Sequence, residues 1–392
     1  MKKFLDLGLQ PLANSYLNIK DLRKKEKKFR LVIGFNPKNY LISILNTVPK
    51  EKIFNQRYPY KSSESKTMKK SFKDLSKNIK KRFNPSLVLE IGSNDGTFIK
   101  NFDRTKIIGV EPCKNLARIT IKNGYTTFSE YWDTSLAKKI SKKKKIDLIY
   151  SANTLSHIKN FSEIFKAVNL SLSEKGILIL EDPSLLECIK NVAYDQFYCE
   201  HLYVFSTIAL KEILNKYNLE IFDIENVNTH GGSNRYYIKN KKNKFFKINN
   251  KVQKNINLEK RFGLHKFKTY KRFANKVSSS RKKLNKIFDK IKSENKKVIG
   301  YGATAKSCTV LNYCKIGSKK IDFFYDTTSY KIGKLLPGSK IKIKKYKKLS
   351  IKDVEYVFLG AWNFKSEIFK KEKNYIRQGG RFITHIPSPK II

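Results

Sequence analysis

The sharpest hydrophobic pattern in the chain is the run from Leu87 to Ile91. It stops at Gly92-Ser93-Asn94-Asp95-Gly96 and opens into a helix-like stretch, Thr97 to Phe102. A short apolar run ended by a glycine turn reads as a buried strand feeding a βα unit. The alternation recurs downstream. Residues 107–112 (IIGVEP) are a second apolar run and Lys114 to Asn123 a helix. Residues 146–158 read as a fourth strand plus a loop, and Phe161 to Leu172 as a helix. Lys175-Gly176 then turns into a fifth strand, 176–183. Strands alternating with helices predict a parallel, doubly wound sheet with ligands at the carboxyl ends of its strands. A second series begins at residue 297, where a strand meets Gly300-Tyr301-Gly302-Ala303 and a helix. A strand ending at Asp326 and apolar runs in 354–364 and 381–389 follow. This predicts a second, Rossmann-like unit.

The flanks read differently. Residues 29–45 alternate as strands do, and 68–82 are helical. Residues 240–297 are basic and mostly helical. Tyr270, Phe273, Val277, Leu284, Phe288 and Ile291 recur at three- and four-residue steps, with a gap at Ser280 and Arg281. That is one apolar face of a long helix, suited to packing between domains. The fold class is therefore α/β, divided as a small β-containing domain (1–67), a nucleotide-binding core (68–240), a helical connector (241–296) and a C-terminal Rossmann-like domain (297–392).

Composition narrows the class. With 392 residues the chain can bury two or three full cores, and 40% apolar and 12% aromatic content excludes disorder. No apolar run reaches about 18 residues and the N-terminus lacks a secretory pattern, so a soluble cytoplasmic protein is expected. The formal charge is +50. Lysines outnumber arginines and are spread along the whole chain, whereas nucleic-acid surfaces concentrate charge and favour arginine forks. The charge reads as compositional bias that helps anionic ligands, not as a nucleic-acid or membrane surface. Five cysteines form no C-x-x-C pair, which argues against a zinc ribbon or a disulfide framework. Nothing here bears on oligomeric state.

The turn at 92–96 is neither G-x-G-x-x-G nor a Walker loop. Glu90 in the strand, then G-x-N-D-G, then Glu111 at the end of the next strand resemble motif I of the class I S-adenosylmethionine (SAM) methyltransferases. The resemblance implies a SAM site built from Glu90, Gly92, Asn94, Asp95, Gly96 and Glu111, with Glu111 on the ribose hydroxyls and Asn153 beside them.

A wider resemblance covers nearly the whole chain. L-x-L-G-x-Q-P-L-A-N (5–14) is similar to the N-terminal domain of the C-methyltransferases that act on nucleotide-linked deoxysugars. In that family the domain binds structural zinc through cysteines. Here they are missing, with Gly34 and Pro37 where one pair aligns, so no metal is expected. The segment YPYKSSESKTM (58–68) resembles the stretch over that family's active site, which brings in Tyr58 and Tyr60. In YDQFYCEHLYVFS (194–206), Tyr198, Glu200 and His201 match the family's Y-x-E-H. Cys199 stands where many members carry a second histidine. VNTHGGSNRYYI (227–238) resembles its H-G-G-S segment, which implies substrate contacts from His230 and Arg235. On its own this glycine pair reads as a hairpin turn. G-Y-G-A-x-x-K and A-W-N-F resemble its C-terminal domain, which implies nucleotide-sugar contacts from Tyr301, Gly302 and Lys306. Free N–H groups at the helix opening near 303 would help hold an anion.

The implied reaction is SAM-dependent C-methylation of a nucleotide-linked keto-deoxysugar. His201 would be the base that forms an enolate. Tyr198, and Tyr58 or Tyr60, would bond the sugar or its oxyanion. Glu200, His157 and Asn153 would complete the pocket. Two alternatives stay open: a nucleic-acid methyltransferase or binding protein, which the charge would suit, and a binding homologue without activity, which the missing cysteines and Cys199 would suit.

Overall fold

The computed structural model describes residues 1–23, 25–54 and 58–392. The chain opens with β1 (Lys2–Pro11), β2 (Lys28–Phe35) and β3 (Ile42–Ile44), joined antiparallel. The helix Lys66–Phe83 follows. Its N-cap Ser65 accepts a hydrogen bond from Met68 N, and Asn84 ends it in the left-handed conformation. Met68, Phe72, Leu75 and Ile79 lie at three- and four-residue steps and are all buried against the central sheet.

That sheet contains β4 (Val88–Ile91), β5 (Ile107–Val110), β6 (Thr126–Phe128), β7 (Ile146–Ala152) and β8 (Leu172–Pro183), all parallel. The next strand, β9 (Tyr203–Val204), leaves the sheet and pairs with β3. The N-terminal sheet is thus completed by residues that directly follow His201. β10 (Leu219–Val227) and β11 (Ser233–Asn240) then return as an antiparallel hairpin beside β8. Numbered in chain order within the sheet, the strands run 3-2-1-4-5-7-6. The order reverses between β4 and β7, and a ligand crevice opens at such a reversal.

Three sequence expectations are corrected. The central sheet is mixed, not wholly parallel. Thr97 to Phe102 is not a helix but a single 3-10 turn, Ile99–Asn101. Thr97 Oγ1 bonds Asp95, and Asn101 Nδ2 bonds the Thr97 and Phe98 carbonyls, so side chains compete with the helical ladder. Gly176 does not start its strand. It lies inside β8, where a Cβ would stand 2.9 Å from the carbonyl oxygens of Ile146 and Ser173, at an irregularity in the β7–β8 register.

The connector forms two helices, Asn250–Phe262 and Phe267–Ser293, broken at Gly263. Every residue of the expected stripe from Tyr270 to Ile291 is buried, and small Ser280 fills its gap. Tyr270 packs on Phe4 (5.1 Å) and Phe35 (4.8 Å), so this helix backs the N-terminal sheet. Burial of each such ring contributes about 1.5–3 kcal/mol.

The C-terminal sheet holds β12 (Val298–Tyr301), β13 (Phe323–Asp326), β14 (Lys342–Lys345), β15 (Tyr356–Leu359) and β16 (Arg381–Thr384) in parallel, with β17 (Lys390–Ile391) antiparallel at the edge. Its order also reverses beside its first strand, between β12 and β15. The N-terminal sheet is tied to this unit by a Leu17–Leu335 bridge, by Tyr16 Oη on the Ala303 carbonyl and by the Glu26 carboxylate on Gly338 N. Among the described residues no helix is long and apolar enough to cross a membrane.

Candidate active site

Both order reversals open onto one cavity of about 980 Å³, walled also by Asn14 and the segment from Tyr58 to Lys66. On the β4 side, Glu90 is buried with Oε2 unpartnered. Burial, with Glu111 and Asp95 nearby, raises its pKa well above the carboxylate range. Glu111 accepts from Cys113 N and Asn94 N, both at 2.8 Å, which fixes its carboxylate at the end of β5. Asn94 clips the overlying segment to the turn: Oδ1 accepts from Ser62 N and Nδ2 donates to the Tyr60 carbonyl. Gly92 has φ +74°, and a Cβ there would stand 2.2 Å from Thr154 Oγ1, so the turn requires glycine. Asn153, at φ +50°, closes β7 with its Oδ1 buried and unpaired. Asp95 and Gly96 are placed differently from Gly92 and Asn94. Neither lines the cavity. Asp95 bonds Ser63 N and Thr97 Oγ1, and Gly96 packs on Thr120.

The orphan acceptors Glu90 Oε2 and Asn153 Oδ1 fit an amino group, and the spare lone pairs of Glu111 fit ribose hydroxyls. Trp132, which the sequence reading passed over, lines the same wall with a buried, unpartnered indole N–H. This donor set fits SAM.

The opposite wall carries the Y-x-E-H segment. His201 Nδ1 lies 2.9 Å from the Gln196 carbonyl oxygen, and Nε2 lies 2.6 Å from Tyr198 Oη. A carbonyl only accepts, so Nδ1 carries the proton and Tyr198 donates to the Nε2 lone pair. Burial, with His157 and Lys306 near, holds His201 well below its ordinary pKa, so the ring is neutral. Glu200 accepts from Asn14 Nδ2 at 2.7 Å and from Tyr58 Oη at 2.9 Å. Burial pushes its pKa up to about 7 against those two bonds. The His157 ring is 5.1 Å from that of His201 and stacks on Phe54, with Nε2 unpartnered. Burial lowers its pKa to about 4. Tyr60 lines the cavity but is 41% exposed.

From the C-terminal unit come Tyr301, Gly302 and Lys306. Tyr301 presents its ring to the cavity while its hydroxyl donates to buried Glu372 at 3.2 Å. Lys306 Nζ is held only 3.4 Å from the His230 carbonyl, and burial lowers its pKa against the pull of Asp195. His230 also faces the cavity, with Nε2 unpartnered.

Two expectations fail here. The helix opening near 303 is not free for an anion. Ala303 N donates to Asp326 Oδ2, and Thr304 and Ser307 cap each other. Arg235 is not at the cavity. It is buried in β11, donates through Nε and Nη2 to Glu181 Oε2 of β8, and donates through Nη1 to Glu225 of β10. It staples three strands instead of touching a ligand. The sequence reading also missed Asn14 and Gln196. Asn14 was visible within the L-x-L-G-x-Q-P-L-A-N motif, but its partner lies 186 residues away.

Three family models match the chain in succession: a zinc binding domain over residues 1–54, a methyltransferase domain over 61–224 and a C-methyltransferase C-terminal domain over 228–387. Residues 1–54 contain neither cysteine nor histidine, and no metal-ligand cluster of three His, Cys, Asp or Glu occurs among the described residues. A zinc site does not fit this N-terminal domain. The curated C-methyltransferase NovU of Streptomyces niveus is 28% identical over 99% of this chain and 93% of its own length. Among solved structures, a SAM-dependent methyltransferase of Leishmania major shares 14% identity over 45% of this chain and 75% of its own, with a TM-score of 0.35. The magnesium protoporphyrin IX methyltransferase ChlM of Synechocystis, with S-adenosylhomocysteine bound, shares 14% over 43% and 82%, with a TM-score of 0.33. The fold assignment rests on strand order, not on those two likenesses. The three domain models in one succession, together with a relative aligned over 99% of this chain, mark it as a SAM-dependent methyltransferase similar to C-methyltransferases along its length.

Proposed function

We propose that the chain methylates a carbon beside the carbonyl of a nucleotide-linked keto-sugar. The observation that carries this reading is the Tyr198–His201 pair, with the imidazole held neutral and its only free lone pair under the phenol. A carbon next to a carbonyl must lose a proton before it can attack, and the acceptor must stand within hydrogen-bond reach. Half-buried Tyr198 and buried His201 both line the cavity, and the phenol already donates to Nε2. The substrate proton passes to the phenol oxygen as the phenol proton passes to Nε2. The electron pair of the C–H bond becomes the enolate, and its oxygen takes a hydrogen bond from neutral His157 through Nε2. Asn14 and Tyr58 hold Glu200 in place beneath the sugar.

Bound SAM supplies an electrophilic methyl group. Glu90, Asn153, Glu111 and Trp132 are the residues that would hold it. Two further features support a nucleotide-linked substrate. The cavity is large and reaches from the SAM wall to the C-terminal unit. There Lys306 offers a buried cation, donating to the His230 carbonyl at 3.4 Å, suited to a diphosphate. Alignment of the two reactants supplies much of the rate.

The test is product formation with SAM and a panel of nucleotide-linked 4-keto sugars, read by mass spectrometry. One added methyl group, lost with His201→Ala, supports the reading. Failure of every sugar while S-adenosylhomocysteine still binds refutes the substrate class and leaves the cofactor site standing.

A further inference from the structure

Behind the Y-x-E-H segment lies a polar cluster that the reaction above leaves unused. Asp195 is fully buried in the turn Tyr194–Gln196. Its Oδ2 accepts from Trp362 Nε1 at 2.6 Å and lies 3.1 Å from His385 Nε2, while Oδ1 has no partner. Both partners belong to the C-terminal unit: Trp362 follows β15 and His385 follows β16. Burial opposes its charge, but His385, Lys306 and Trp362 outweigh that and keep its pKa low. A buried carboxylate with one oxygen unsatisfied is costly to maintain.

The next residue in the turn is Gln196. Its carbonyl fixes the tautomer of His201, and its Nε2 donates to the His230 carbonyl at 2.8 Å, the same oxygen that Lys306 approaches. Trp362 also packs against Gly231, where a Cβ would stand 2.3 Å from the indole. One indole thus touches Asp195 and the turn carrying His230, and Lys306 stands 5.7 Å from its ring.

We propose that Asp195 is a positioning residue through which Trp362 and His385 of the C-terminal unit hold the Gln196 carbonyl and thereby the Nδ1–H form of His201. The C-terminal unit then serves the proton transfer as well as the nucleotide. The inference rests on His201 being the base. Its step is purely orientational: no bond is made or broken at Asp195. Loss of the Asp195 charge frees the turn to rotate, and His201 then samples the Nε2–H form, which cannot receive the proton from Tyr198.

The test uses the full chain with S-adenosylhomocysteine bound and isotope-labelled histidine, read by nitrogen NMR. His201→Ala identifies the resonance. Wild type should show one Nδ1–H tautomer, and Asp195→Asn and Trp362→Phe should show a mixture. In turnover with a thymidine-diphosphate-linked 4-keto-sugar, both variants should lose kcat, by about 100-fold for Asp195→Asn, with KM unchanged. Asp195→Asn combined with His201→Ala should be no slower than His201→Ala alone. Trp362→Phe removes the indole N–H with its five-membered ring but keeps an aromatic side chain, so a folding failure of Asp195→Asn leaves the test intact. An unchanged Nδ1–H tautomer in Trp362→Phe, or additive losses in the double variant, overturns the proposal. The tautomer readout needs no sugar. Absence of wild-type turnover therefore counts against the substrate reading and not against this coupling.

Discussion

Glu200 makes an unusual prediction, because the group that serves the site should weaken the fold. It is 3% exposed, and its pKa is pushed from 4.5 to about 7. The folded chain therefore holds a proton that the unfolded chain has already released between those two values. Stability falls with pH wherever the folded state binds more protons. At about 1.4 kcal/mol for each pH unit, ionised Glu200 costs the folded state about 3 kcal/mol above pH 7 and nothing below pH 4.5. Glu200→Gln copies the protonated carboxyl in shape. Its Oε1 can still accept from Asn14, and its amide can donate to Tyr58 if that hydroxyl reverses. The variant should match wild type near pH 4.5 and be more stable by about 3 kcal/mol at pH 8, while turning over more slowly because Tyr58 is misdirected. Urea midpoints of the two proteins, measured side by side across that range, read the difference, and every other titrating group cancels. A gap that stays constant with pH, or wild type gaining on the variant as pH rises, would refute the reasoning.

If Tyr198 relays the proton, Tyr198→Phe should lower kcat by about 100- to 1000-fold, close to the loss in His201→Ala, with S-adenosylhomocysteine affinity unchanged by calorimetry. A Tyr198→Phe loss below about tenfold would assign the phenol to sugar binding alone. Arg235→Met should destabilise the chain by about 3–5 kcal/mol in urea melts, because it strands Glu181 in the interior, yet leave KM for the sugar unchanged in whatever protein folds. Elemental analysis of the purified chain should find no stoichiometric zinc, and a chelator should leave its melting temperature unchanged. One zinc per chain would contradict this and demand a ligand set not recognised here.

The parts of the fold that were legible in the sequence are those a local pattern encodes. The runs that became β4, β5, β7 and β12 are short and continuous, with glycine ending β4 and β12, and the Tyr270–Ile291 stripe follows the helical period. What escaped was set by distant contacts. β9 is two residues long and has no period to read; only its partner β3, far back in the sequence, makes it a strand. Arg235 resembled a ligand-binding arginine because nothing local shows that Glu181 will lie across from it. The helix opening near 303 seemed available to an anion because Asp326, which fills it, belongs to the next strand. In the site, Tyr198, Glu200 and His201 stood out together, whereas Asn14, Gln196 and Trp132 are polar or aromatic residues of ordinary kind. Asn14 and Trp132 gained meaning only by lining the cavity, and Gln196 only through its contacts with His201 and His230.

The central claim is that His201, through Tyr198, removes a proton from a carbon beside a ketone. Deuterium uptake tests it most directly. The protein would be incubated in deuterated water with S-adenosylhomocysteine and a nucleotide-linked 4-keto-sugar, so that no methyl group can be transferred. Wild type should exchange the proton beside the carbonyl far faster than buffer does, and His201→Ala should exchange it at the buffer rate. Exchange that survives intact in His201→Ala, in a sugar the wild type methylates, would contradict the account.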